Sequence, residues 1–513
     1  MSDSLSDYSW LLVASVVVAF GMAFGIGAND VANAFATSVA SRALTLRQAV
    51  LIGAIFEFAG AALMGTHVAN TIADGVVKGE LFEDAPELLM LGFFCALFAA
   101  MAWLAIATKW ALPVSTTHSI IGGVVGFAVC AHGFRAVKWT KLLLIFSTWL
   151  TSPILSGVCA ILVFGGTRKY ILRHPASLRR ALLALPLVSM VTLTTCSFFV
   201  VYKGAPFLYD LVEHLSAGVV FLICAGISTV ASVLIGVFVV PILRRRAQEL
   251  SDRGVAAIAL EATEDTEFQN DDSLSASDEK ALLSDATRVS NYGAVAPEQA
   301  NDFVEDDIDI DIEDSTVDLH ARAARDSHVQ AMRDTAEKFD EATEKTFNLM
   351  QVATSCFLAF AHGANDTANA IGPLAAIVAI YKTGEAHPDT SMPVWVLLLG
   401  ATGLVLGLAL CGWRVIEAVG CRLAVVTSSR GFSIQFTTAF VVAFASRLGI
   451  PVSTTHCQVG ATVGVACTEE QRKSAVNWSL LSRVFASWVA TLLIAAATSA
   501  LLFSFAAFSP SAR

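Results

Sequence analysis

Apolar residues in this chain run in blocks of spanning length, at roughly Trp10 to Ala28, Arg47 to Gly65, Leu88 to Thr108, Thr140 to Gly165, Ala181 to Val201 and Ser216 to Leu243. After a long polar interruption the pattern resumes at about Phe347 to Ala361, Val394 to Trp413, Gly431 to Leu448 and Trp478 to Phe508. A helix needs ~20 residues to cross ~30 Å of hydrocarbon, so each block predicts a transmembrane helix. Shorter apolar pieces follow Asp30, Pro113, Asp366 and Pro451. They do not span comfortably alone and predict half-helices or re-entrant segments. The pattern gives an all-α polytopic membrane protein with about ten to twelve transmembrane helices and a pair of re-entrant helical hairpins. Composition agrees: 55% of residues are apolar, 15% are charged and the mean hydropathy is +0.65, where a soluble protein carries about 25% charged residues.

The formal charge of −11 is misleading as a whole-chain number. Residues 244–346 hold 27 of the 44 acidic residues and 11 of the 33 Lys and Arg residues, a net of −16, which leaves the membrane body at +5. No nucleic-acid partner follows from such a distribution. The acidic segment has few aromatics and high net charge, so disorder is its expected state, with a short surface helix at about Thr335 to Asn348. Orientation comes from the short connections. Arg168, Lys169, Arg173, Arg179 and Arg180 crowd one of them, while the next, Tyr202 to Ala217, has only Lys203. The positive-inside rule puts the first in the cytoplasm, the acidic loop on the same side, and both termini outside. The residues before Trp10 lack the basic region of a cleavable signal peptide, so the first apolar block is expected to stay in the mature protein. Ten scattered cysteines without a Cys-x-x-Cys pair read as buried thiols.

The chain also repeats itself. Gly27-Ala-Asn-Asp-Val-Ala-Asn-Ala34 recurs as Gly363-Ala-Asn-Asp-Thr-Ala-Asn-Ala370 at an offset of 336, and Pro113-Val-Ser-Thr-Thr-His118 recurs unchanged as Pro451 to His456 at an offset of 338. Trp139, Leu142, Phe146 and Trp149 find weaker echoes in Trp478, Leu481, Phe485 and Trp488. Markers in constant order imply a duplicated unit. The first copy starts from the predicted outside and the second from the cytoplasmic loop, which makes an inverted-topology repeat, a transporter architecture with its site near the midplane. The expected organisation is an N-terminal membrane half at 1–243, the acidic cytoplasmic loop at 244–346 and a C-terminal membrane half at 347–513.

Asp30 and Asp366 lie in otherwise apolar segments, where a carboxylate costs ~2.5 to 3.5 kcal/mol at membrane depth and marks function by default. Asn29, Asn33, Asn365 and Asn369 add neutral oxygens, a set that suits a small hard cation. The alternative is plain interhelical bonding. Ser115, Thr116, Thr117, Ser453, Thr454 and Thr455 follow prolines and precede glycine-rich apolar pieces, the signature of helix starts. Two facing helix N-termini make an anion site. Hydroxyls and a nearby acid favour an anion that still carries a proton, hence phosphate over sulfate; ordinary capping is the alternative. His118 and His456 read as structural hydrogen-bonding residues rather than metal ligands. Glu57, another intramembrane carboxylate, is a functional candidate, with a protonated interhelical bond as the other reading.

Together with Ser429-Arg-Gly-Phe432, the paired motifs resemble the inorganic phosphate transporter family, which includes the type III sodium-dependent phosphate symporters of animals and related fungal, plant and bacterial carriers. The resemblance covers both membrane halves and implies phosphate uptake coupled to sodium or protons by alternating access, no cofactor, a homodimer and a plasma-membrane location. It carries phosphate to Ser115, Thr116, Thr117, Ser453, Thr454 and Thr455, the cation, with sodium as the only metal, to Asp30, Asn33, Asp366 and Asn369, and a transport role to Glu57, with Asn29 and Asn365 as further coupling candidates. The family usually has Glu where this chain has Gln435, an amide that keeps an oxygen but neither charge nor proton. Two other classes remain to be separated: a membrane enzyme using Ser115 or Ser453 with a neighbouring His, and a phosphate-sensing receptor working through the acidic loop.

Overall fold

The structure, a computed structural model, describes residues 3–64, 76–202, 214–248, 315–386, 392–450 and 452–508; most of the acidic segment lies outside the described residues. Its helices are α1 (Ser9–Ile26), α2 (Ala32–Ala40), α3 (Leu46–Met64), α4 (Pro86–Lys109), α5 (Thr116–His132), α6 (Trp139–Thr167), α7 (Ser177–Val201) and α8 (Ala217–Leu234). After the acidic segment come α9 (Ser315–Ala324), α10 (Ser327–Thr335), α11 (Glu341–Thr383), α12 (Val394–Cys411), α13 (Ser428–Arg447), α14 (Thr454–Ala466) and α15 (Trp478–Phe508). Among the described residues nine helices are long and apolar enough to cross a membrane. The 43-residue α11 and the 20-residue α13 are long enough but fall outside that set; both carry the polar residues that build the site.

Two of the four short pieces differ from expectation. Only those after Pro113 and Pro451 begin new helices. Asp30 sits in a π turn, Gly27–Val31, that joins α1 to α2 without a break, and Asp366 lies inside the unbroken α11. A π turn absorbs an extra residue within a continuing helix, so no half-helix is needed to bring a polar side chain inward.

Helices pack crosswise between the halves: α5 against α15, α14 against α6, α1 against α12 and α3 against α11. Glycine sets the last two crossings. A Cβ at Gly27 would lie 1.9 Å from the carbonyl oxygen of Leu404, and one at Gly407 1.9 Å from that of Phe24. At the other crossing, Gly60 would meet the Phe360 oxygen at 2.1 Å and Gly363 the Glu57 oxygen at 2.2 Å. No other residue permits backbones this close. Small echoes of the repeat recur outside the motifs. Isolated bridges join Val77 to Val137 and Ala424 to Val476, and the indoles of Trp139 and Trp478 donate to the carbonyls of Phe134 (2.8 Å) and Lys473 (3.0 Å).

Residues 315–335, inside the segment expected to be disordered, are helical and docked. Leu319, Ala323, Val329 and Met332 supply a buried apolar face, and the imidazole of His320 contacts the Val39 carbonyl at 3.2 Å. Beyond α10, Glu337 ties this stretch to the body. Its carboxylate pairs with Arg173 at 2.6 Å, its N–H donates to Glu469 (3.0 Å), and its carbonyl accepts from Arg430 (2.8 Å). Arg430, only 2% exposed, pairs with Glu469 at 2.7 Å between the rings of Phe164 and Phe339.

Candidate functional site

The two Pro-Val-Ser-Thr-Thr-His segments start their helices as the sequence suggests, and each is held by an asparagine. Ser115 and Ser453 adopt extended backbone and accept the N–H of His118 and His456, both at 3.2 Å, so both serines are N-caps. Asn29 donates to Thr108 (3.1 Å) and to the Leu112 carbonyl (3.0 Å), while its oxygen accepts the Val114 N–H at 3.0 Å. Asn365 likewise donates to the Val452 carbonyl at 2.9 Å. These two amides staple the loops in place, and the Asn365 nitrogen also donates to Asp366 at 3.1 Å.

With the loops fixed, the helix starts of α5 and α14 meet both carboxylates. Asp30 accepts from the Thr116 hydroxyl at 2.7 Å, from the Thr116 N–H at 3.4 Å, and from the Thr455 hydroxyl of the other repeat. Asp366 accepts from Thr454 at 2.7 Å and from Asn369 at 2.9 Å. The amides cross between copies: Asn33 donates to Thr455 at 3.1 Å, and Asn369 to Thr116 at 3.0 Å and Thr117 at 3.3 Å. Every one of these residues is buried. Thr116, Thr117, Thr454, Thr455, Asp30, Asn33, Asp366 and Asn369 therefore form one cluster shared by the repeats, and Ser115 and Ser453 flank it as N-caps with their hydroxyls turned to their own helices.

The amide oxygens of Asn33 and Asn369 are buried and have no hydrogen-bond partner. An orphaned buried acceptor costs about 1–3 kcal/mol, and here it occurs at equivalent positions of both copies beside a carboxylate. Oxygen-only donors of this kind fit a hard cation such as sodium.

One functional residue escaped the sequence reading. His362 lies between two acids, with Nδ1 2.8 Å from Glu57 and Nε2 3.0 Å from Asp366. The second contact is a close approach without hydrogen-bond geometry. Asp30, His362 and Asp366 offer ligand atoms within 4.8 Å of one another. The glycine contacts show why the repeat hid this group: Gly27 abuts Leu404 where Gly363 abuts Glu57, and the offset of 336 pairs His362 with Ile26. The Glu57–His362 pair has only Leu404 and Ile26 as counterparts. A polar residue four before Asp366, on the same helix face, was the available signal.

Gln435 lies one to two turns along α2 from Asp30, toward the face where α9 and α10 dock. Its amide nitrogen donates to the Ala34 carbonyl (2.9 Å) and Ser38 (2.8 Å), and its oxygen accepts from Ser355 at 3.1 Å and Thr354 at 3.4 Å. Ser38 and Ser355 share a bond of 2.6 Å, and Ser41 donates to Gln351 at 2.7 Å. Glu344, Asn348, Gln351, Ser355, His362 and Asp366 follow helical spacing on α11. They form a polar stripe from the docking face to the carboxylate cluster. Beside the cluster, His118 rests tilted against Trp149 and His456 stacks on Trp488, with ring centroids 3.6 and 3.7 Å apart, and His456 reaches the Trp149 carbonyl at 3.1 Å.

The sequence model of the phosphate transporter family matches residues 26–499, which span both repeats and the cluster between them. The chain belongs to the phosphate transporter family. A phosphate-repressible phosphate permease of Neurospora crassa is 31% identical, covering 96% of both chains. The sodium-dependent phosphate transporter 1 of Mus musculus is 27% identical over 96% of this chain and 95% of its own. A solved structure titled the sodium-dependent phosphate transporter superposes with a TM-score of 0.70 at 31% identity, covering 97% of this chain and 99% of that one. Family and relatives are transporters and permeases, not enzymes, so the Ser-Thr-Thr-His segments of this phosphate transporter family member are not a nucleophile and its base.

Proposed function

We propose that this protein is a cation-coupled symporter of inorganic phosphate, sodium being the first candidate ion and the proton the second, working by alternating access around the Asp30–Asp366 cluster. The observation that carries the reading is the pairing of two helix N-termini with two carboxylates and two partnerless amide oxygens. Backbone N–H groups and threonine hydroxyls serve an anion. Asn33, Asn369, Asp30 and Asp366 serve a cation. Bringing opposite charges to adjacent positions lets each ligand strengthen the other's binding, the physical basis of coupling. Thr116, Thr117, Thr454 and Thr455, with the N-caps Ser115 and Ser453, would hold phosphate. Glu57, through His362, and Gln435, on the polar stripe, would act in coupling.

Crosswise packing and the repeated markers support an inverted repeat, with the polar stripe as the route to the docking face. Charge in the connections supports a cytoplasmic acidic loop and external termini. A homodimer in the plasma membrane completes the reading. Proteoliposomes under separately imposed sodium and proton gradients test it: labelled phosphate should accumulate unchanged with one gradient. Equal uptake with neither imposed would show a uniporter and end the coupled assignment.

A further inference from the structure

A cavity of 260 Å³ opens where α4, α12 and α15 reach the docking face; Leu112, whose carbonyl accepts from Asn29, lines its inner side. Two of the three spans end here and the third begins. Trp110 follows the span of α4, Trp413 and Arg414 follow that of α12, and Arg483 lies five residues into α15, a rise of about 7 Å from its start. The cavity is at the boundary between hydrocarbon and water.

Its lining is basic and aromatic. Arg414, Arg422 and Arg483 face Asn477, Trp110 and Trp413. Two acids also line it against three arginines, so the lining keeps a small net positive charge. Glu417 is already paired with Arg422, and Asp326 caps α10 by accepting the His328 N–H at 2.9 Å. Arg414 stacks on Trp413 at 5.1 Å with Arg322 on the same indole at 5.8 Å, and among the described residues neither Arg414 nor Arg483 has a carboxylate partner. The Nε of Arg422 is buried without a partner.

The neighbours face lipid. Trp110 is 62% exposed, Leu410 65% and Phe485 54%, in helices whose other faces are packed. A cation on a lipid-facing helix at interfacial depth meets headgroups, and anionic ones attract it by ~1 kcal/mol for each Lys or Arg. Guanidinium groups bind phosphate oxygens in pairs, and tryptophan prefers this same layer.

We propose that this cavity holds the phosphate group of an anionic phospholipid, bound by Arg414, Arg483 and Arg422 with Trp110 and Trp413 against the glycerol and upper acyl region. The chemistry recognised is a phosphate ester. The lipid is the committed source, because Trp110, Arg414 and Arg483 are exposed on the lining at the ends of apolar spans, and the site does not depend on how transport is coupled.

Native mass spectrometry of the full chain from mixed micelles of phosphatidic acid and phosphatidylcholine tests this without measuring transport. Wild-type protein should retain phosphatidic acid at activation energies that strip phosphatidylcholine. The Arg414→Ala/Arg483→Ala double variant should lose this retention by roughly tenfold or more. Arg135→Ala, on the opposite face, should not change it. Equal retention of both lipids by the wild type, or undiminished phosphatidic acid on a monodisperse double variant, would overturn the proposal. So would a free phosphate adduct that displaces phosphatidic acid when millimolar inorganic phosphate is added, which would make this a site for the free anion. If the double variant does not fold, Arg483→Gln and the wild-type lipid comparison decide the question.

Discussion

Asp30→Asn separates a cation ligand from a structural carboxylate, because only the first role makes the stability change depend on sodium. The native carboxylate accepts both hydroxyl and backbone donors, from Thr116 at 2.7 and 3.4 Å and from Thr455. Asparagine keeps one of the two oxygens, so the variant loses on the order of 2–3 kcal/mol of charge-assisted bonding, against which a buried charge costing ~2.5 to 3.5 kcal/mol is removed. Without ligand the two nearly cancel, and the unfolding temperature should stay within a few degrees of wild type. With sodium the cancellation ends. A wild-type site at a hundred times its Kd gains about 2.7 kcal/mol from binding. Losing a charged ligand of ~3 kcal/mol weakens binding roughly a hundredfold, which leaves about 0.4 kcal/mol at the same concentration. Thermal unfolding of purified protein in sodium and in choline measures the difference: a sodium-induced rise in wild type, nearly absent in Asp30→Asn. An undiminished rise in the variant would refute the assignment of Asp30 to the cation.

Gln435→Glu places an oxygen where the amide nitrogen now donates to the Ala34 carbonyl, leaving two acceptors face to face at a cost of about 1–3 kcal/mol unless a cation or proton enters. Its stability and uptake should become more dependent on sodium or on acid than those of the wild type, and unchanged profiles would remove Gln435 from coupling. Arg430→Met should lower stability by about 3–5 kcal/mol by stranding buried Glu469, whereas Arg430→Met/Glu469→Leu should recover much of the loss; denaturant unfolding reads both. For His320, burial and the nearby Arg42 and Arg333 lower the imidazole pKa below its ordinary 6.5. A depressed His is neutral when docked, so docking is fully stable above about 6.5 and weakens as pH falls below it, when the undocked form takes up the proton first. Hydrogen exchange in α9 should therefore speed up on acidification, and His320→Gln should flatten that response. Deleting residues 252–312, which spares the docked helices, should leave phosphate uptake intact; loss of uptake would favour a sensing role for the acidic segment.

The helices and the site were legible to different depths. Spanning runs, both motifs and their offset follow from letters alone, because hydrocarbon thickness fixes helix length and duplication preserves spacing. Asp30 and Asp366 stood out as charges in apolar surroundings, and the threonines of both motifs do meet them. Continuity was less visible: a π turn at Gly27–Val31 carries Asp30 inside a single helix, and nothing in composition separates that from a break. Residue type does not reveal direction: in the structure Asn29 and Asn365 hold loops, and Asn365 also donates to Asp366. His362 was missed because a search for repeats rewards matches, and its counterpart is Ile26. Helices α9 and α10 were concealed by averaging, since a few apolar residues at helical spacing disappear in a segment of −16.

The crosswise hydrogen bonds also set a timetable for biosynthesis. Asp30 enters the bilayer early, yet Thr116 is made 86 residues later and Thr455 425 residues later. At ~5–20 residues per second the second wait is roughly 20–85 s, during which one carboxylate oxygen has no hydroxyl from its eventual partner. The N-terminal half thus leaves the ribosome as a provisional insertion, held by its own Thr116 and the lipid around it. Expressed alone, the N-terminal half would present Asp30 without Thr455 to the quality-control machinery, whereas Asp366 finds Thr454, Asn365 and Asn369 within its own half.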